Sequence, residues 1–194
     1  LTSQGLNDVH GRYRAWARPK VLHARTYEEA TSLIERFEEY LLGIITDIRF
    51  PRDGALNPNA GWDLVKFVRN RKCDLPILMQ SADSEHGAQA LKMGIPFVDK
   101  TSPRLLTALR EFMASSMGFG PFIFRMKDRT EVARASDTHQ LLKVLETLHP
   151  ESLIYHCKGN HFSNWLAART EFTIADEVRG WSVDAFGDVE GLRL

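Results

Sequence analysis

The stretch that most constrains this chain runs from Leu41 to Asp47, LLGIITD. Six apolar or small residues follow one another without a charge and end on a carboxylate. A short run rich in Ile and Leu suits a strand buried on both faces, as in a parallel sheet. Two later runs repeat the design: LPILMQS over 75–81 ends on a hydroxyl, and IPFVDK over 95–100 ends on a lysine. Helix-patterned segments separate them. WDLVKFVRNR places Leu64, Val65, Phe67 and Val68 on an apolar side, and residues 84–93 read as a short helix closed by Gly94. Strands alternating with helices predict an α/β fold built on a doubly wound parallel sheet with right-handed connections. Ligand sites in such sheets lie beyond the carboxyl ends of the strands. The pattern therefore predicts that Asp47, Ser81 and Lys100 meet on one rim. Taken alone, Asp47 has a plainer reading, as a cap on the loop that follows it.

The rest of the chain frames this core. Residues 6–18 read as a helix stopped before Pro19, and KVLHA over 20–24 as a short strand. Thr26 with Glu29 three residues on has the form of a capping box for a helix over 26–40. The segment IRFPRDGALNPNAG after Asp47 holds two Pro, two Gly and two Asn and reads as an irregular loop. Ser102 and Pro103 fit the N-cap and first position of a helix reaching Met117. The pattern changes after Gly118. GFGPFIFRMKDRTEVARA reads as a β-hairpin turning at Lys127 to Arg129, and Asp137 caps the helix that follows. SLIYHCKGNHFSNWLAAR, broken at Gly159, and EFTIADEVR read as further helices. A boundary at Gly118–Gly120 divides the chain into an α/β part over 1–118 and a small, mostly helical part with a hairpin over 119–194.

Composition excludes several function classes. Lys plus Arg and Asp plus Glu both number 25 in 194 residues, so no bulk charge advertises nucleic acid or a membrane surface. In residues 151–194 four basic residues stand against seven acidic ones, the wrong balance for a DNA-binding output segment. Arg12, Arg14 and Arg18 form a small basic patch that reads as a solvated helix face. No apolar run approaches the ~20 residues that span a bilayer. Two cysteines, Cys73 and Cys157, are too few for a disulfide framework and fit a reducing, cytoplasmic setting. The chain starts at Leu1 without Met and reads as a piece of a longer protein.

An aspartate at a strand end, with a hydroxyl and an amine on neighbouring strand ends, can accept a phosphoryl group as an acyl phosphate. The cation and the donor would compensate the added charge. In this arrangement the chain resembles the receiver domain of response regulators over roughly residues 6–117. Asp47 matches the acceptor that ends the third strand, and Pro51 and Gly54 match the residues usual after it. Ser81-Ala82 matches the end of the fourth strand. Phe97, three before Lys100, matches the aromatic switch residue. The resemblance implies a receiver or flavodoxin-like sheet whose first strand is missing here. It also implies a phosphoacceptor at Asp47, phosphoryl contacts from Ser81 and Lys100, Mg²⁺ as cofactor and a sensor histidine kinase as partner. The usual acidic pair for Mg²⁺ is not found before the first helix, leaving Asp47 with Asp53 as its nearest candidate companion. Arg49 stands where a backbone carbonyl would ligate the metal. The loop after Asp47 is longer than a receiver's, and Lys100 is followed by Thr101-Ser102-Pro103 rather than directly by Pro.

The motifs ITDIRFPRDGA, ILMQSAD and FVDKTSP, with the hairpin and the ESLIYH…NHFSNWLAARTEF segment, make the whole chain similar to a particular regulatory region. It is the one that precedes bacterial enzymes of the phosphoenolpyruvate synthase and pyruvate phosphate dikinase type. This implies a regulatory module rather than an enzyme, acting on attached enzymatic domains. The alternative is a pseudo-receiver that is never phosphorylated and serves as an interaction or homodimerisation module. His156, Cys157 and His161 suggest a metal cluster at first sight. With Cys157 and His161 sharing a helix face, only three soft ligands are present, and Zn²⁺ takes four, or three plus water. These residues, with Tyr155, Phe162, Trp165 and Phe172, read as core.

Overall fold

A computed structural model describes residues 19–71, 74–181 and 191. The helix expected over 6–18, its basic patch and Cys73 lie outside the described residues. Helix α1 (Tyr27–Phe37) begins at Thr26, whose hydroxyl accepts from the Glu29 N–H at 3.2 Å. The Glu29 carboxylate reaches back to the N–H of Arg25, one residue further out than in the standard box. A single 3₁₀ turn (Glu38–Tyr40) leads into β1 (Ile44–Asp47). Strands β2 (Phe50–Arg52) and β3 (Ala55–Asn57) follow, then α2 (Ala60–Arg71), β4 (Ile77–Ser81), α3 (His86–Lys92), β5 (Phe97–Asp99) and α4 (Leu105–Ser115).

The three predicted strands form one parallel sheet in the order β1–β4–β5. Register pairs Ile44 with Ile77 and Asp47 with Gln80, and on the other side Met79 with Phe97 and Ser81 with Asp99. Central β4 is covered on both faces. Ile77 and Met79 pack with Ile34 of α1, Val65 and Val68 of α2 and Ala90 of α3. Leu78, pointing the other way, packs with Val98, Phe112 of α4 and Met117. The alternation of a strand thus puts helices on opposite faces, and each of these buried side chains larger than Ala contributes roughly 1.5–3 kcal/mol. The result is an α/β layer structure. The three described strands succeed one another across the sheet in chain order.

Three local expectations are corrected. Residues 20–24 form no strand: the segment is irregular, pairs with none of the described strands, and leaves Val21 93 % exposed. The segment after Asp47 is not irregular. It is a two-stranded antiparallel hairpin, β2–β3, closed by Asp53 and Gly54, both at positive φ (52° and 78°). Asp-Gly is a favoured pair for a type I′ turn, whose twist matches the strands it joins. Helix α4 starts two residues later than the Ser-Pro signal suggests. Ser102 instead caps a tight turn, accepting from the Arg104 N–H at 3.2 Å.

Beyond Gly118 lie the hairpin β6 (Phe122–Arg125) and β7 (Glu131–Ala135), then α5 (Thr138–Leu145), α6 (Pro150–Lys158), α7 (His161–Ala167) and α8 (Phe172–Val178). Asp137 caps α5 by accepting from Gln140 N–H at 2.8 Å, as its position suggested. The chain breaks between α6 and α7 at Gly159 and Asn160, the latter left-handed at φ 50°. Phe122, Phe124, Leu141, Leu153, Trp165 and Leu166 form a buried cluster of their own, separate from the two that flank the sheet.

Candidate functional site

The parallel register brings Asp47, Ser81 and Lys100 to one rim. Asp47 is the last residue of β1, Ser81 the last of β4, and Lys100 follows β5 directly, its N–H bonded to the Ser81 carbonyl at 2.8 Å. The Lys100 ammonium Nζ lies 2.6 Å from Asp47 Oδ2, a charge-assisted hydrogen bond across the width of the sheet. Ser81 stands on the strand between them. Its side chain is buried and its oxygen accepts from the Asp83 N–H at 3.1 Å, which leaves its own proton free to donate. Phe97 is half-buried, its ring against Gly87 of α3 at a spacing that a Cβ there would crowd to 3.2 Å.

What fixes Asp47 is a glycine. Gly61, at the start of α2, donates its N–H to the Ile48 carbonyl at 2.8 Å. A Cβ on Gly61 would stand 2.2 Å from the Asp47 carbonyl oxygen and 2.8 Å from Ile48 Cα. Helix α2 can therefore seat against the end of β1 only without a side chain at this point. Nothing in the hydropathy pattern singled out Gly61; the close approach exists only once strand and helix are packed.

The fit of a divalent cation can be tested on the donor set. Asp47 is engaged by Lys100. Asp53 sits at the tip of the β2–β3 turn with its side chain 87 % exposed, beside Arg52, and its N–H is held by Glu28 of α1 at 2.9 Å. It does not join Asp47. Among the described residues no group of three His, Cys, Asp or Glu side chains converges as a metal site. Asp47 paired with Lys100 and Asp53 held out on its turn do not make the two-carboxylate Mg²⁺ site that the resemblance offered.

The His/Cys group behaves as core, but not with the geometry its spacing suggested. The break at Gly159 and Asn160 puts Cys157 and His161 on different helices. Burial pushes the Cys157 thiol up to about 11, so it stays protonated at neutral pH. The two histidines meet instead, with Nδ1 to Nδ1 at 3.0 Å. His156 Nε2 accepts the backbone N–H of Arg125 at 2.8 Å. Burial first, then the neighbouring His161 and Arg125, lower His156 to about 3. Burial, then Arg125, lowers His161 as well. Both rings are therefore neutral at pH 7, which assigns their protons. His156 carries its proton on Nδ1 and donates it to His161 Nδ1, leaving the His161 proton on Nε2.

Among the described residues no helix is long and apolar enough to cross a membrane. No protein-family model matches the chain, and neither a curated protein nor a solved structure matches it significantly.

Proposed function

We propose that the α/β part of the chain is a receiver-like regulatory module in which Asp47 accepts a phosphoryl group and passes the change to attached domains. The observation that carries this reading is the 2.6 Å contact of Lys100 with Asp47, reached from two different strand ends. A carboxylate oxygen of Asp47 attacks the phosphorus of a small acyl phosphate. The bond to the donor's carboxylate breaks, and the donor leaves as a free carboxylate. The acyl phosphate carries more negative charge than the aspartate did, and Lys100 moves from the carboxylate to the phosphoryl oxygens. Ser81 donates its free proton to one of them. Movement at Ser81 and at Phe97, whose ring rests on Gly87, is then felt by α3.

The test is intact-mass measurement after exposure to a small acyl phosphate with Mg²⁺ in the buffer. The expected result is one added phosphoryl group on the wild type and none on Asp47→Asn. No addition to the wild type, or equal addition to Asp47→Asn, overturns the reading. The variant is a clean control. Both partners of the pair are more than a third exposed, at 36 % and 40 %, so its loss costs only about 0–1 kcal/mol.

A second reading, an unphosphorylated pseudo-receiver that binds a partner or a second copy, is favoured by a specific observation. Leu91 of α3 and Leu106 of α4 stand 80 % and 76 % exposed. A molecular mass that doubles with concentration in sedimentation, unchanged by Asp47→Asn, supports this alternative.

A further inference from the structure

At the opposite end of the sheet from Asp47, where β4 and β5 begin, the second segment closes over a cavity of about 500 Å³. That volume is within the range of small-molecule sites. Its walls combine apolar surface, including Phe112 and Trp165, with an unbalanced set of charges. The acid among the lining residues, Asp74, is already neutralised by Arg179 from α8's carboxyl end. Arg125 and Arg129 also line the cavity, and Glu131, which lies across the hairpin from Arg125 and feels its charge, has its carboxylate bound by Arg134. His161 adds a neutral N–H donor. The relay through His156 fixes its proton on Nε2, and Nε2 lies beside Gly159, where a Cβ would stand only 2.4 Å away.

The hairpin turn carries Arg129 in a left-handed conformation. The Arg129 N–H bonds to the Met126 carbonyl at 2.9 Å, and Met126 N–H to the Thr130 carbonyl at 2.9 Å. This closes a type I turn followed by a left-handed residue, and Arg129 holds that position at φ 72°. The position favours Gly, and sometimes Asn, because a Cβ costs on the order of 1 kcal/mol there.

We propose that this cavity is a binding site for a small organic dianion, a phosphate monoester or a dicarboxylate, held by Arg125 and Arg129 with the His161 Nε2–H as a neutral third donor. The two guanidiniums match the two charges, and the aromatic wall accepts the carbon skeleton. The site stands apart from Asp47 and does not depend on its phosphorylation.

The experiment titrates the purified chain with inorganic phosphate and, separately, with succinate, against chloride at matched ionic strength. Thermal midpoint and calorimetry are the readouts, since a ligand that binds the folded state raises the midpoint. One of the two anions is expected to stabilise the wild type, and which one does so distinguishes a phosphate from a dicarboxylate ligand. Arg129→Gly is the decisive variant. It relieves the backbone at φ 72°, so its own midpoint in chloride is expected to hold or rise. Its affinity for the anion is expected to fall by roughly tenfold or more, the effect of one lost charge-assisted hydrogen bond. Arg125→Gln is expected to lose affinity similarly. A wild type indifferent to both anions overturns the proposal, as does an Arg129→Gly variant that binds as tightly as the wild type.

Discussion

At the scale of single residues, the most consequential group outside the rim is His156. It is 3 % exposed, accepts a backbone N–H through Nε2 and donates through Nδ1, so it can only be neutral. Its folded-state value, about 3, is depressed from the usual 6.5. An unfolded chain therefore takes up a proton between these two values that the folded chain refuses. The contribution of His156 to stability is complete above about pH 6.5 and is lost as pH falls toward 3, reaching on the order of 4–5 kcal/mol over the full interval. His161, also lowered, acts in the same direction. Replacing His156 with Gln keeps an acceptor for the Arg125 N–H but does not titrate. Urea unfolding of His156→Gln from pH 7 to pH 4 is expected to show a shallower loss of stability than the wild type, with lower stability at neutral pH. Equal slopes would show that the buried ring does not set the acid limit.

At the scale of elements, the strands that carry Asp47, Ser81 and Lys100 were legible because each is a short apolar run, and burial on both faces demands such runs. The β2–β3 hairpin was missed, although Asp53-Gly54 is its signal. The surrounding Pro and Asn obscured strands only three residues long. The strand expected over 20–24 failed for the converse reason, since a short apolar run without a packing partner has nothing to order it. Gly61 links element to site, and Gly61→Ala is the sharpest element-scale perturbation. The neighbours a Cβ would meet are backbone atoms of Asp47 and Ile48, which cannot rotate away. The expected cost is about 1–3 kcal/mol, with α2 pushed off the end of β1. Denaturant titration gives the cost. Chemical-shift changes centred on Asp47 and Ile48 report the displacement, and their absence would show that the helix does not bear on the end of β1.

At the scale of the whole molecule, the two halves meet through apolar contacts, Tyr40 edge-on to Phe172 and Leu42 against the second cluster, and through polar groups around the glycines that separate them. Arg169 donates to the Gly118 carbonyl at 2.7 Å and to the Gly120 carbonyl at 2.9 Å, and its guanidinium lies over the Trp165 ring. The Trp165 indole N–H also donates to Gly120, at 3.0 Å. These donors satisfy carbonyls that would otherwise be half-buried without partners. Arg179 reaches Asp74 from the far end of the second segment. Arg169→Ala leaves the Gly118 carbonyl without this donor and is expected to cost roughly 2–4 kcal/mol. Because the same contacts hold the second segment over the 500 Å³ cavity, the variant should also weaken anion binding without touching Arg125 or Arg129. Chemical denaturation and the phosphate and succinate titrations check the two effects. A variant as stable as the wild type would show that the glycine carbonyls are served by water instead.

The sequence alone determined the α/β character, the three parallel strands and the meeting of Asp47, Ser81 and Lys100. Hydrophobic burial on a strand has a short, fixed period, and parallel strands deliver their last residues to one side. Tertiary structure decided what depends on distances between segments far apart in the chain. It left Asp53 away from Asp47, set Gly61 against the end of β1, turned His156 toward His161, and brought Arg125 and Arg129 to line one cavity. Such contacts arise from packing two separately folded surfaces together, and no local periodicity encodes the separation between them.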